Sequence, residues 1–174
     1  MPVCWTNKEN RGNCMVNIRP FKEEDNEALL NIEKLCPQGN EECALTYDRK
    51  PDITARYELY DNREIRVAEE NDSPIGWIGW TAKSGKEINY VYVAEMMVHP
   101  DYSGKDIDIE LIREAEKAAQ EAKASHIYCY AYETDETFIK LLEKLGYIQE
   151  KEIHALGMSA YKKIILKEHM TLKE

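Results

Sequence analysis

Residues 91–123 constrain the fold most, because they predict a strand, a short polar turn and a long helix in direct succession. Residues 91–98 form an apolar, β-branched run that Pro100 ends, since proline cannot donate to a sheet and restricts the residue before it. After Gly104, apolar residues recur at the three- and four-residue spacing of one buried helical face. These residues are Ile107, Leu111, Ile112, Ala115, Ala118, Ala119 and Ala122. The first N–H groups of such a helix lack intrahelical partners and carry partial positive charge, so the turn is suited to bind an anion.

The segment before this stretch predicts a strand, two helices and a hairpin. Carboxylates in the first turn favour the first helix, and proline at its first position favours the second. Trp77 and Trp80 are three positions apart and are predicted to lie on opposite faces of their strand, with one of them in the core. The elements are a strand over 15–21, a helix from residue 23 carrying Ala28, Leu29, Ile32 and Leu35, a helix over 51–61, and strands over 64–69 and 75–81.

The segment after the long helix predicts a strand, a helix and two further strands. Residues 127–132 alternate small or apolar side chains with three tyrosines, as expected of a strand. Thr134 or Asp135 can cap the next helix, and Gly146 is a typical C-terminal glycine. Strands follow over 147–153 and 161–167. Residues 1–14 are polar and unpatterned, and we expect a loose extension there and a single domain over 15–174.

The sequence Val-His-Pro-Asp-Tyr at 98–102 resembles the acetyl-CoA-binding segment of the GNAT (general-control-nonrepressed-type N-acetyltransferase) superfamily. In that family a strand ending in V-x-P is followed by Q/R-x-x-G-x-G/A, whose backbone amides wrap the cofactor pyrophosphate. The three signature positions fall here on Ser103, Asp106 and Asp108. The resemblance covers about residues 16–167 and includes Lys-Leu-Gly-Tyr at 144–147. It implies a single-domain α/β (α+β) fold with a mixed, mostly antiparallel sheet of about seven strands and about four helices.

The resemblance also implies the positions that would bind acetyl-CoA as co-substrate. Peptide groups at the end of the central strand would contact the pantetheine and the thioester, the turn would hold the pyrophosphate, and a residue early in the late helix would contact the cofactor. Those positions are Met96, Met97, Val98, Ser103, Gly104, Lys105, Asp106, Ile107, Asp108 and Asp135. An alternative is that Asp106, Asp108 and Glu110 cap the helix and complement its dipole instead. Residues 36–60 would border the acceptor.

Glu95 is the candidate general base, because it is the one carboxylate on the central strand and a charge among apolar residues is costly to bury unpaired. The alternative is that it faces solvent or pairs with a basic residue across the sheet. The family's general acid, a tyrosine of the late helix, is replaced by Leu142. A tyrosine at 90, 92, 128, 130 or 132 is a substitute, although such tyrosines are more often packing residues.

These features predict an acetyl-CoA-dependent N-acetyltransferase that transfers acetyl to a primary amine by direct attack. The alternative is a cofactor-impaired binding or regulatory protein of the same fold. The formal net charge of −10 argues against nucleic acid and anionic membranes and favours an amine-bearing small molecule or protein as partner. The four histidines form no i, i+4 pair and the five cysteines form no C-x-x-C motif, so we expect no metal site. We also expect a cytoplasmic location, and a homodimer is compatible with such a fold.

Overall fold

The computed structural model describes residues 16–36, 52–57, 63–84, 89–155 and 157–165. Within them the predicted order of seven strands and four helices is confirmed. The strands are β1 (Asn17–Pro20), β2 (Arg63–Glu70), β3 (Ser73–Ser84), β4 (Asn89–Val98), β5 (His126–Tyr132), β6 (Ile148–Ala155) and β7 (Met158–Ile164). The helices are α1 (Asn26–Leu35), α2 (Ile53–Tyr57), α3 (Ile107–Glu121) and α4 (Glu136–Lys144). The predicted extension over 1–14 and most of the acceptor-bordering segment lie outside the described residues.

The seven strands form one sheet in the order β1-β2-β3-β4-β5-β7-β6. All neighbours are antiparallel except β4 and β5, which run parallel. A parallel pair needs a long crossover, and α3 supplies it. The sheet is therefore mixed and mostly antiparallel, as predicted, and its parallel pair lies at the centre.

The two faces of the sheet carry separate cores. On the face covered by α1 and α2, called the α1/α2 face, the core contains Leu29, Ile53, Val67, Trp77 and Met97. On the α3/α4 face it contains Trp80 and Ile78, with the apolar stripe of α3 and Leu142 of α4. The tryptophans lie on opposite faces as predicted, but both are buried, since helices cover each face.

The apolar stripe of α1 differs from the prediction at its C-terminal end. Leu35 is 54% exposed, whereas Glu33 is buried. Because Glu33 lies four residues after Leu29 and three before Cys36, it shares the inward side of the helix. A carboxylate is therefore held between the helix and the sheet.

Gly146 ends α4 in the predicted way. It adopts a left-handed conformation with φ of 86°. The N–H of Tyr147 donates to the carbonyl of Leu142 at 2.9 Å, and that of Gly146 donates to Glu143 at 3.0 Å. This pair of bonds satisfies the last carbonyls of the helix. In the described part of the chain, no helix is both long and apolar enough to cross a bilayer.

Candidate active site

The central strands β4 and β5 separate before either of them ends. Their pairing runs from Tyr90 with His126 to Val93 with Cys129, while the strands continue to Val98 and Tyr132. On its other edge, β4 pairs with β3 through a register shift that leaves Ala94 as an extra residue. Such a β-bulge bends its strand and increases the local twist. We call the resulting opening, between residues 94–98 and 130–132, the splay.

Peptide groups of β4 point into the splay. The N–H of His99 donates to the carbonyl of Ile75, the third residue of β3, at 2.8 Å. Peptide directions alternate along an antiparallel strand, so those of Val98 and Met96 point away from β3 and toward the splay. The same alternation directs the peptide groups of Met97 to β3, and its side chain is buried in the α1/α2 core.

The carbonyl of Val98 is also contacted from α1. The thiol of Cys36 donates to it across 3.4 Å. Burial raises the pKa of this thiol, and the nearby carboxylate of Glu33 raises it further. Cys36 is therefore protonated at neutral pH, which suits a donor, and the C-terminal end of α1 is fixed beside the end of β4.

Peptide groups of β5 point into the splay from the other side. The N–H of Glu133 donates to the carbonyl of Gly157 in the turn before β7, at 3.0 Å. By alternation, the peptide groups of Tyr130 and Tyr132 point away from β7 and toward β4. Their side chains lie on the α1/α2 face, because the alternate residues Cys129 and Ala131 are buried on the other.

Glu95 and Tyr130 lie in the same transverse row of the sheet. Val93 and Cys129 are the last paired residues of β4 and β5, and the next residues on the two strands, past the extra residue Ala94, are Glu95 and Tyr130. Tyr92, which pairs with Tyr128 two rows earlier, contacts Tyr130 with ring centroids 5.4 Å apart in an edge-to-face arrangement. The carboxylate and the phenol thus belong to opposite sides of the splay on the α1/α2 face, and both side chains are half-buried.

The turn between β4 and α3 contains two residues with positive φ. They are Gly104 at 74° and Asp106 at 61°. Asp106 thus adopts the left-handed conformation that glycine favours, at the position where the family signature has its first glycine. Left-handed residues in a turn allow successive N–H groups to converge on an anion. Gly104 and Asp106 shape the turn in that way.

The first turn of α3 retains unpaired donors. Asp106 occupies the N-cap position, but its side chain makes no capping bond. Asp108 accepts the N–H of Ile109 at 2.9 Å, so one donor is taken by the protein's own carboxylate. Among the described residues, the N–H groups of Asp106, Ile107 and Asp108 have no acceptor. The carboxylates therefore occupy only part of the helix N-terminus.

The side chains of the turn mostly face outward. Ser103, Gly104, Lys105 and Asp106 are exposed, and Asp108 is half-buried, whereas Ile107 packs into the α3/α4 core. The ammonium of Lys105 lies over the ring of Tyr102, 4.3 Å from its centroid. The hydroxyl of Tyr102 in turn donates to Glu70 on β2 at 2.8 Å. This chain of contacts holds the ammonium of Lys105 on the surface of the turn.

The late helix α4 differs from the family pattern at the two positions where the family has functional residues. Asp135 is the N-cap of α4 and accepts the N–H of Phe138 at 3.0 Å. Its own N–H donates to the carbonyl of Tyr132, so it lies immediately beyond the splay. Leu142 is fully buried and packs in the α3/α4 core. At the family's general-acid position α4 therefore has no proton donor, and Tyr130 and Tyr132 of β5, whose side chains lie on the α1/α2 face beside the splay, remain candidates.

Sequence reasoning missed Glu33 as a residue of this region. It is 4% exposed and lies one turn before Cys36, whose thiol contacts the end of β4. Its signal in the sequence was a charged residue at four-residue spacing from Leu29, inside an otherwise apolar stripe. A buried carboxylate beside a cleft is a candidate for substrate contact.

A polar pocket and a buried thiol elsewhere in the described chain are explained by their neighbours. A polar pocket of about 330 Å³ lies between β1, α1 and the β2–β3 turn. There Arg19 makes two hydrogen bonds to Asp25, at 2.7 and 2.8 Å, and a further one to Glu69. Burial raises the pKa of the Cys129 thiol to about 12, so it is no nucleophile at neutral pH. Among the described residues, no three His, Cys, Asp or Glu side chains are grouped as metal ligands.

Comparison with known proteins gives one family and many similar structures. The model of the acetyltransferase (GNAT) family matches residues 26–147. No curated protein sequence matches significantly. The PaiA N-acetyltransferase from Thermoplasma acidophilum, in complex with coenzyme A, superposes with a TM-score of 0.71 and 17% identity over 86% of this chain and 99% of that one.

Two further solved structures show the same fold. A GNAT-family acetyltransferase from Staphylococcus aureus Mu50 has a TM-score of 0.73 and 16% identity, covering 87% of this chain and 100% of its own. The ribosomal-protein-S18-alanine N-acetyltransferase from Escherichia coli has a TM-score of 0.68 and 13% identity, covering 91% and 99%. At these identities the likeness concerns the fold alone.

Proposed function

Since this chain belongs to the GNAT acetyltransferase family, we propose that it is an acetyl-CoA-dependent N-acetyltransferase that acts on a primary amine by direct attack. The observation that carries the proposal is the splay, into which the peptide groups of Met96 and Val98 point, next to the outward donors of α3. Members of the family are acetyltransferases, and one structural neighbour has coenzyme A bound. The thioester of acetyl-CoA needs donors such as the β4 peptide groups, and its pyrophosphate needs donors such as the first N–H groups of α3.

The described residues fit acetyl-CoA at both ends. The N–H groups of Asp106, Ile107 and Asp108 would hold its pyrophosphate, because a helix N-terminus favours anions. Peptide N–H groups of Met96 and Val98 would hold the thioester oxygen and stabilise negative charge that develops on it. The co-substrate supplies an acetyl group activated as a thioester. At Met96 and Val98 the identity of the side chain matters little, since the backbone makes the contacts.

Glu95 would remove the proton from the acceptor. An ammonium has no lone pair, so the amine must lose a proton before its nitrogen attacks the acetyl carbon. The C–N bond would then form and the C–S bond would break, and the proton that the attacking nitrogen must still lose to become an amide would pass to the thiolate. Glu95 is half-buried in the row that borders the splay. Glu95→Gln is expected to lower kcat about 100-fold with acetyl-CoA affinity retained, and unchanged turnover would remove Glu95 from the mechanism.

Calorimetric titration with acetyl-CoA tests the first requirement. We expect one site and a stabilisation of about 2.7 kcal/mol at a hundredfold excess over Kd, which raises the Tm by roughly 5–10 °C for a chain of this length. Desulfo-coenzyme A should bind similarly, since the turn recognises the pyrophosphate. Absence of binding and of any Tm shift at millimolar acetyl-CoA would refute the proposal.

A second function is favoured by one observation. Asp106 and Asp108 place carboxylates at the helix N-terminus, and Asp108 already occupies the N–H of Ile109. These features would weaken a pyrophosphate site, as in a binding or regulatory protein that has kept the fold. Under this alternative the folded protein binds acetyl-CoA only at millimolar concentrations and releases no thiol with any amine.

A further inference from the structure

We propose that Cys36 of α1 and Gly76 of β3 are positioning residues for the acetyl donor, and that they act through the peptide groups on either side of Val98. This role rests on the proposed function and specifies what aligns the thioester contact. It is carried by contacts that meet these two peptide groups from opposite sides of β4.

The backbone at Val98 lies where β4 has left its parallel neighbour. Pairing between β4 and β5 ends at Val93 with Cys129, so β5 makes no ladder bonds to β4 at Val98. A peptide N–H holds a thioester oxygen well only when its direction is fixed, because a hydrogen bond weakens steeply as its angle departs from linearity. On the splay side, the direction of the Val98 peptide groups therefore depends on contacts other than a sheet ladder.

Strand β3 holds one end of the second of these peptide groups. The carbonyl of Val98 and the N–H of His99 belong to one planar unit. That N–H donates to the carbonyl of Ile75 at 2.8 Å. A hydrogen bond at one end alone still allows the plane to tilt about it. The carbonyl end, which points into the splay, therefore needs a contact of its own.

The thiol of Cys36 supplies that contact. It donates to the carbonyl of Val98 across 3.4 Å. The position of the thiol is itself determined by α1, because Cys36 is the C-cap residue of the helix and packs against the α1/α2 core. Its N–H donates to the carbonyls of Ile32 and Glu33 at 3.2 and 3.1 Å. The peptide group after Val98 is thus held by β3 at its N–H and by α1 at its carbonyl.

Gly76 allows the peptide group before Val98 to lie close to β3. It pairs with Val98 in the register of β3 and β4. A Cβ at Gly76 would lie 3.0 Å from the carbonyl oxygen of Met97 and 3.3 Å from Cγ2 of Val98, closer than most such contacts. That oxygen belongs to the planar unit that carries the N–H of Val98. A side chain at Gly76 would push this unit toward the splay and turn its N–H.

Two substitutions of Cys36 separate the hydrogen bond from packing. Cys36→Val keeps the volume and removes the donor, and valine suits the extended backbone there, with φ of −83° and ψ of 137°. Cys36→Ser loses volume but keeps a donor. If the donor matters, serine should perform better than valine. If only packing matters, valine should perform as well as the native cysteine.

Calorimetric titration with two ligands measures the effect and locates it. For acetyl-CoA, Cys36→Val and Gly76→Ala should each raise Kd about fivefold, as expected for one impaired hydrogen bond, and Cys36→Ser should raise it less. Leu35→Ala, at the exposed neighbour on α1, is the matched control and should leave Kd unchanged. Adenosine 3′-phosphate 5′-diphosphate has the pyrophosphate of the cofactor but no pantetheine. It should bind all of these proteins equally, because none of the substitutions lies in the turn before α3.

One NMR signal observes the peptide group directly. Val98 and His99 form the one Val-His pair in the sequence, so isotope labelling of valine carbonyls and histidine amide nitrogens gives a single correlated signal. Without ligand, the carbonyl shift should move upfield in Cys36→Val, where the oxygen loses its donor, and stay near the wild-type value in Leu35→Ala. An unmoved signal in Cys36→Val would overturn the role of Cys36.

The outcomes separate this role from the proposed function. Equal Kd values for acetyl-CoA in the wild-type protein, Cys36→Val and Gly76→Ala would overturn the role and leave the acetyltransferase intact. A rise in Kd that Leu35→Ala or the pantetheine-free ligand shares would show general loosening and would also overturn it. Absence of acetyl-CoA binding by the wild-type protein would refute the proposed function, and this role with it. Circular dichroism melting checks folding, and the Cys36 variants decide if Gly76→Ala does not fold.

Discussion

The acidic turn before α3 makes a quantitative prediction about acetyl-CoA affinity. The double variant Asp106→Gly/Asp108→Asn removes both carboxylates and keeps the backbone shape. Glycine readily adopts the φ of 61° found at Asp106. Asparagine can still accept the N–H of Ile109 that Asp108 accepts at 2.9 Å. The substitutions therefore alter charge more than structure.

The expected gain follows from Coulomb's law. A phosphate that accepts the N–H groups of Asp106, Ile107 and Asp108 would lie on the order of 5 Å from the two carboxylates. Each pair of like charges at that distance costs roughly 0.8 kcal/mol at the dielectric constant of water. Removing both carboxylates should therefore lower the Kd for acetyl-CoA by about tenfold.

Calorimetry at two salt concentrations measures this effect and its origin. The affinity gain should be largest at low salt and nearly vanish at 1 M, where the screening length is about 3 Å. Glu121→Gln, at the other end of α3 and about 22 Å along the helix, is the control for net charge and should leave Kd unchanged. An unaltered Kd in the double variant at low salt would show that no phosphate binds at this turn, and a salt-independent gain would show that charge is not the cause.

Three further predictions concern stability, measured by urea unfolding. Asp135→Ala should cost about 1 kcal/mol, because the N–H of Phe138 loses its acceptor; a cost near zero would mean that the cap contributes nothing. Lys123→Gly should stabilise by about 0.5–1 kcal/mol, since Lys123 follows the C-cap residue of α3 with φ of 54°, and destabilisation would contradict this reasoning. Burial alone would raise the pKa of Asp25, but the hydrogen bonds from Arg19 and the Lys22 N–H outweigh it and lower the pKa. The resulting stabilisation is present above the unfolded pKa of about 3.9 and is lost as pH falls through the lower folded pKa, so Asp25→Asn should flatten the decline of stability below pH 4.

Elements with strong local signals were predictable from the sequence. The stripe of α3 depends on apolar periodicity, the end of β4 on Pro100, and the end of α4 on Gly146, which shows the left-handed φ that a glycine there indicates. Each of these signals acts over a few residues. The order of the predicted strands and helices along the chain was then sufficient to identify the fold.

Side-chain positions that depend on tertiary contacts were not predictable. The last apolar residue of α1 by spacing, Leu35, is exposed, because the helix turns Cys36 and Glu33 toward the end of β4. Nothing in the sequence near Lys105 indicates that its ammonium lies over the ring of Tyr102. Contacts between residues far apart in the sequence determine both positions, and local sequence propensity does not predict such contacts.

The bulge at Ala94 connects these observations, because it decides the face on which Glu95 lies. In an unbroken strand Glu95 would share the face of Val91 and Val93 and would be buried against α3. One extra residue moves it to the α1/α2 face, opposite Tyr130, while Met96 and Val98 return to the α3/α4 side. The same residue bends β4 away from β5 just where their pairing stops. A single irregularity, which lies opposite Gly79 of β3 and involves neither proline nor glycine in β4 itself, thus accounts both for the opening between the strands and for the face on which the candidate base lies.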